Sequence, residues 1–323
     1  MIRTALATTA LALLGTAAAA QDLTPFSYGT NWVAQAEHGG FYQAVADGTY
    51  AECGLDVTIV QGGPQVNGRA MMLAGRIDAF MGGNMLQPFN ALVQDIPVVA
   101  VFASFQKEPQ VLLTHPGKAD EFTDLKDLEL FIGDGGYQSY YQWMITEFGF
   151  TPEQRRVYTF NAAPFIADEN TAMQGYLSSE PYSVERETGW APDVWLIADY
   201  GFDTYSTLIE VTRDTLENRA DEVECFVNGS ALGWTNYLYG DNAAANELIK
   251  ADNPEMTDDN IVDSGDTAEL GIGAMTDARM QSFYRRMVAA GVLPADLPIE
   301  EAYSLQFVNK GVGLDVKARL TGN

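Results

Sequence analysis

The chain has 323 residues with 18 basic and 44 acidic side chains, a net charge of −26 at neutral pH. Such a field repels phosphate backbones and anionic lipid surfaces, so nucleic acid is not expected as a partner. Two cysteines and two histidines are too few for an obvious zinc site.

The first twenty residues, MIRTALATTALALLGTAAAA, place one cation, Arg3, ahead of a short apolar run through Leu13 and Leu14, then Ala18-Ala19-Ala20. That order is a secretory signal with cleavage before Gln21. The run is too short and too diluted with Ala, Thr and Gly for a membrane span, and Gln21 offers no thiol for a lipid anchor. Removal of residues 1–20 leaves roughly 300, enough for two domains of about 150. Export would put Cys53 and Cys225 in an oxidising compartment, where a pair can become a disulfide. Two unrelated buried thiols remain the other reading.

Downstream, apolar alternation and helical spacing follow one another. A strand is expected over Phe26–Val33, a helix over Gly39–Tyr50 closed by Cys53-Gly54, and a strand over Leu55–Val60. A helix over Asn67–Ala74 leads to a strand over Ile77–Met81, which Gly82-Gly83-Asn84 breaks. A helix to Gln94 and a strand over Ile96–Phe102 complete the unit. A second unit repeats the rhythm: strand Leu130–Ile132, loop Gly133–Gly136, helix Tyr137–Phe148 and strand Val157–Phe160. A helix over Asn170–Leu177 and strands over Ser183–Arg186 and Val194–Ile197 follow, then Thr207–Thr212 and a long helix from Leu216 to Tyr239. Alternation of this kind implies parallel strands flanked by helices. Residues 253–266, NPEMTDDNIVDSGD, read as a helix-to-helix connector.

The stretch from Asn31 to Asn84 resembles the solute-binding proteins for thiamine-pyrimidine precursors, alkanesulfonates and nitrate. The likeness rests on Trp32 at a strand's end, Gly39-Gly40-Phe41-Tyr42, Gly48 and Tyr50 before Gly54-Leu55-Asp56-Val57, and Gly75-Arg76-Ile77-Asp78. It continues at Asp124–Leu128, Gln174-Gly175-Tyr176 and Ser179-Glu180-Pro181 and is weakest beyond Ala251. The resemblance implies an α/β, two-lobed periplasmic binding protein of type II, each lobe a mostly parallel sheet flanked by helices, with two crossing strands as the hinge. The expected division is a signal peptide at 1–20, lobe one over 21–107, lobe two over 108–208, and a return to lobe one with C-terminal helices over 209–323. It also puts both cysteines in lobe one, which makes a Cys53–Cys225 bond geometrically possible.

Ligands in open α/β sheets sit beyond the carboxyl ends of the strands, near helix N-termini. That rule singles out Trp32, His38, Asn84, Gly135, Tyr137, Phe165 and Glu180 as ligand-binding candidates. Trp32, Tyr137 and Phe165 offer flat faces, though each serves equally in a core. Asn84 pairs a donor with an acceptor, or caps a helix. Glu180 could accept from an amino group, or sit solvated on a loop, and His38 is as readily a helix-start residue. A sulfonate or nitrate site would recruit Arg or Lys; only Lys107 and Arg69 lie near the expected cleft. The balance favours a flat heterocycle, a thiamine-related aminopyrimidine best, carried by the extracytoplasmic component of an ABC importer. Sulfonate, nitrate, taurine or riboflavin binding are the alternatives, as is a ligand-sensing module for a membrane receptor.

No enzymatic motif appears: no G-x-S-x-G elbow, phosphate loop or metal-ligand spacing. The intracellular relatives that make the thiamine pyrimidine carry a cysteine-rich cluster, which this chain lacks. The protein is therefore expected to be no enzyme, to use no cofactor, and to work as a periplasmic monomer with a small-molecule ligand and a cognate ABC permease as partners.

Overall fold

The computed structural model describes residues 22–63, 66–254, 256 and 270–322. The signal segment and most of the 253–266 connector lie outside the described residues.

The first half of lobe one runs β1 (Thr24–Gly29), α1 (Gly39–Ala46), α2 (Thr49–Glu52), β2 (Leu55–Val60), α3 (Gly68–Leu73), β3 (Ala79–Asn84), α4 (Leu86–Val93) and β4 (Val98–Phe105). Lobe two holds β5 (Gln110–Thr114), β6 (Glu129–Ile132), α5 (Asp134–Tyr137), α6 (Tyr140–Phe148), β7 (Arg155–Val157), α7 (Ala163–Ala167), β8 (Thr171–Tyr176), α8 (Glu180–Thr188) and β9 (Asp193–Leu196). The chain returns through β10 (Ser206–Thr212), then α9 (Arg213–Asn218), α10 (Ala220–Tyr239), α11 (Ala243–Asp252), α12 (Asp277–Ala289) and α13 (Leu314–Thr321).

Each lobe is an α/β layer around one five-stranded sheet, ordered β2-β1-β3-β10-β4 and β7-β6-β8-β5-β9. Both sheets are mixed. β1 lies parallel to β2 and β3, and β6 parallel to β7 and β8; β10 runs antiparallel to β3 and β4, and β5 antiparallel to β8 and β9. The antiparallel strands adjoin the two crossings, Gln106–Pro109 outward and Gly201–Tyr205 back, so the crossing chain reverses direction against the βαβ units.

Several elements depart from the sequence reading; the helix expected over Tyr137–Phe148 is interrupted at 138–139, between α5 and α6, the loop expected over Gly133–Gly136 is largely taken up by α5, and the helix expected over Leu216–Tyr239 is interrupted at Arg219. Residues 170–177, expected as a helix, form β8, which is hydrogen-bonded on both sides, to β5 and β6. Thr171, Ala172 and Met173 are all buried, so pairing in the middle of a sheet overrides helix propensity. Residues 183–186, expected as a strand, lie in α8. Its punctuation was present in the sequence: Pro181 in the first turn and Gly189 at φ 78° past the end. The expected helix over 39–50 breaks at Gly48, φ 80°, into α1 and α2. Finally, β3 continues through Gly82-Gly83-Asn84 instead of breaking there. A Cβ on Gly82 would lie 2.2 Å from Oε1 of Glu210, so glycine is what lets β3 pass beside β10.

In lobe one α1 packs on α10, and Phe26, Tyr28, Phe41 and Tyr50 gather their rings about Phe226, with centroids 4.8–6.4 Å away. The helices approach through glycine. A Cβ on Gly233 would fall 2.2 Å from the carbonyl oxygen of Gly40, and one on Gly40 would fall 2.1 Å from Cγ of Trp234. Gly233→Ala is therefore expected to cost about 1–3 kcal/mol, because the nearest obstacle is backbone and cannot swing aside. Chemical denaturation would read this as a lower midpoint at unchanged slope. Cys53 at the end of α2 and Cys225 on α10 form a disulfide, Cα–Cα 5.7 Å.

Candidate functional site

A cavity of about 300 Å³ lies between the lobes, beside the two crossings. It is built where the sequence rule places ligands, at strand ends. Trp32 comes from the loop after β1, Asn84 from the end of β3, Gly135 from the turn after β6, and Gln174–Tyr176 from the end of β8.

Trp32, His38, Asn84, Gly135 and Glu180 all line the cavity. Trp32 belongs to lobe one but packs against lobe two: its ring stacks near-parallel with Tyr158 at 6.3 Å and meets Phe160 edge-on at 5.6 Å. Asn84 is buried, and its Oδ1 accepts from the Leu86 N–H at 3.2 Å and from the Ser139 hydroxyl of lobe two at 2.8 Å. It thus takes up the first N–H of α4 and joins the lobes at once. Glu180 opens α8 and accepts from the Tyr176 N–H at 2.7 Å; burial, opposed by that hydrogen bond, pushes its carboxyl up to about 7. His38 is buried with Nδ1 unpartnered, and burial pushes its imidazole down to about 3, so the ring is neutral.

Two candidates fall outside. Phe165 sits in the lobe-two core with Val111, Leu113 and Met173, tilted against His115 and edge-on to Trp190. Tyr137 packs on Tyr141 beneath the Arg155 guanidinium, at 5.6 Å and 4.6 Å. Both are aromatic packing residues one turn or more from the strand ends that bear the cavity.

Neither basic candidate offers an unspent charge to the cavity. Lys107 is exposed and pairs with Asp199 at 2.7 Å. Arg69 does line the cavity, but its Nε and Nη2 fork onto both carboxylate oxygens of Glu210 at 2.9 and 2.5 Å. Glu210 is fully buried on β10, so the guanidinium is committed to neutralising it.

Two buried cavity carboxyls were missed from sequence. Glu37, in the turn before α1, accepts from the Ser178 hydroxyl of lobe two through Oε1 at 2.6 Å, and burial raises its carboxyl. Glu108, in the outward crossing, accepts through Oε1 from the Gln110 N–H at 3.2 Å and from the Ser206 hydroxyl on the return crossing at 3.3 Å. Burial pushes it up to about 8. The signal for Glu108 was a lone carboxylate, in Lys-Glu-Pro, between the apolar runs of β4 and β5; Glu37 had no such mark. The described residues hold no group of three or more His, Cys, Asp or Glu placed to bind a metal, and no helix long and apolar enough to cross a membrane.

Two α/β lobes, two crossings and a ligand-sized cavity between them define a two-lobed binding-protein fold. The chain belongs to the NMT1/THI5-like family, whose model matches residues 35–244. No curated protein sequence matches it significantly. Among solved structures, it is similar to a Candida albicans protein described as having the generic periplasmic binding protein fold (13% identity, TM-score 0.62, 88% of this chain and 98% of that one). It is also similar to a putative periplasmic sulfonate-binding protein from Methylobacillus flagellatus (12%, 0.58, 94% and 96%) and to the periplasmic nitrate-binding protein of Synechocystis (12%, 0.59, 92% and 89%). At these identities the likeness is one of fold.

Proposed function

We propose that this protein is the extracytoplasmic solute-binding component of an ABC importer, and that it captures a small flat heterocycle, best matched by a thiamine-related aminopyrimidine, between closing lobes. Family membership and the described transport neighbours support the importer role. The observation that carries the ligand class is the cavity's chemistry: Trp32 at its edge, amides and carboxyls around it, and its guanidinium consumed by Glu210. An aminopyrimidine presents ring faces, N–H donors and ring acceptors, which suit an indole, carboxyls and side-chain amides. A sulfonate or nitrate would have to face Glu37, Glu108 and Glu180 without a cation of its own. A cavity of about 300 Å³ sits at the small end of ligand sites, which favours a substituted single ring over a tricyclic flavin with its polyol tail.

Thermal unfolding with aminopyrimidines, thiamine, riboflavin, taurine, alkanesulfonates, nitrate and amino acids tests this reading. A ligand at 100 times its Kd stabilises by about 2.7 kcal/mol, a rise of several degrees. The expected result is a rise with an aminopyrimidine that Trp32→Ala removes. A rise with anions alone would overturn the ligand class and keep the transport role.

A further inference from the structure

Three of the glutamines that line the cavity each have one end of the amide fixed by the backbone. Oε1 of Gln87, on α4 of lobe one, accepts from the Gly83 N–H at 2.9 Å. Oε1 of Gln174, on β8 of lobe two, accepts from the Gly133 N–H at 2.6 Å and from the Tyr140 hydroxyl at 3.2 Å. Gln110, on β5, is turned the other way: its Nε2 donates to the carbonyl oxygens of Gly175 at 2.8 Å and Val111 at 3.2 Å. An N–H can be met only by an amide oxygen and a C=O only by an amide nitrogen, so the backbone settles which way each amide faces. The polar atoms left over are Nε2 of Gln87, Nε2 of Gln174 and Oε1 of Gln110. None has a partner among the described residues and, unlike Nδ1 of His38, none is enclosed by protein.

The three amides stand close together. A Cβ on Gly135 would lie 4.0 Å from Nε2 of Gln87, and a Cβ on Gly133 would lie 3.6 Å from Nε2 of Gln174. These glycines are two residues apart in the turn after β6, about 7 Å of chain at most, so donors from opposite lobes flank one short stretch of backbone. Gln110 stands opposite Tyr176 in the β5–β8 ladder. It therefore shares a face with Gln174 and is diagonal to it, roughly 7–8 Å away. Separations of this size suit one small ring hydrogen-bonded along more than one edge.

We propose that Gln87, Gln174 and Gln110 are specificity-determining residues of the cavity: two amide NH2 groups that read acceptors on a flat ring, and one amide oxygen that reads an N–H borne by that ring. The proposal rests on the flat-heterocycle reading above and narrows it to an uncharged ring with both acceptor and donor edges. Each amide is held by backbone, so it cannot turn over to serve a ligand of the opposite polarity without giving up that bond. A ring without the donor leaves the Gln110 oxygen unmet, and a ring without acceptors leaves both NH2 groups unmet. Unmet polar groups in a closed site are costly. A sulfonate meets the NH2 groups but offers nothing to the Gln110 oxygen.

Calorimetric titration at neutral pH with four rings of similar size tests this: 4-aminopyrimidine, with ring acceptors and an amino donor; pyrimidine, with acceptors alone; aniline, with a donor alone; and benzenesulfonate, an anion. The expected result is 4-aminopyrimidine ahead of each of the others by roughly tenfold or more. Gln87→Glu and Gln174→Glu keep an oxygen for the Gly83 and Gly133 N–H groups and put a second oxygen where the free NH2 stood. Each should weaken 4-aminopyrimidine by roughly tenfold or more, while aniline, which asks nothing of those NH2 groups, keeps its affinity. A merely structural disturbance would weaken both rings alike. The ranking in the unsubstituted protein decides even if a variant fails to fold. Pyrimidine or aniline level with 4-aminopyrimidine, or Glu variants that leave the ratio of 4-aminopyrimidine to aniline unchanged, overturns the proposal and leaves the flat-ring reading standing. Benzenesulfonate in first place, or no binding by any of the rings, overturns both.

Discussion

Replacing Arg69 by Met is expected to destabilise the protein by about 3–5 kcal/mol, the cost of leaving a buried carboxylate without its partner. Glu210 is fully buried, and both its oxygens are held by the Arg69 fork at 2.9 and 2.5 Å. It cannot turn to water, because it lies on β10 between β3 and β4, against Gly82. Adding Glu210→Gln to Arg69→Met should recover most of the loss, since the pair then buries no net charge. Thermal melts of the two variants side by side give the comparison. A single variant that melts with the unsubstituted protein would mean that Glu210 finds another counter-charge. The same commitment makes a second, qualitative expectation: added nitrate or sulfonate should not rescue Arg69→Met, because the guanidinium was never available to an anion.

The second large effect is expected on reduction. The bond between Cys53 and Cys225 closes a loop across 172 positions, and chain-entropy arithmetic puts its contribution at up to about 5 kcal/mol. Cys53 is exposed, so a thiol reagent reaches it, whereas Cys225 is buried on α10. Melting with and without dithiothreitol, or of Cys53→Ser paired with Cys225→Ser, should show a fall on the order of 10 °C. A fall of a degree or less would show that the α1–α2–α10 packing holds the two helices in place unaided. Ligand response should survive in the reduced form at low temperature, because the bond lies within lobe one, away from the cavity lining.

Much of the fold is legible because the two periods differ. LDVTIV alternates and becomes β2; IPVVAVF is continuously apolar and becomes β4, buried on both faces. The reading failed where a segment's own preference was overruled by its neighbours. TAMQGY carries helix-compatible spacing, yet lies between β5 and β6, where only an extended chain can complete both ladders. The site divides in the same manner. Trp32, Asn84 and Gly135 follow strand ends that hydrophobic alternation reveals, and the structure brings them to one cavity. Tyr137 and Phe165 lie on α5 and α7 and pack within lobe two, and no periodicity distinguishes an aromatic facing a ligand from one facing a core. Glu37 and Glu108 needed the third dimension. Their importance comes from burial and from unpartnered oxygens, and a sequence records neither.

Glu108 also lies on the axle of the molecule. It occupies one crossing and accepts a hydrogen bond from Ser206 at the start of the other. When two rigid bodies turn about such a line, displacement grows with distance from it. Contacts at the crossings then change little, while those that join lobe to lobe, Glu37 with Ser178 and Trp32 with Tyr158, must part before the lobes can. Substitutions at those contacts should then show chiefly in how readily the lobes separate, and substitutions at Glu108 in the hinge itself.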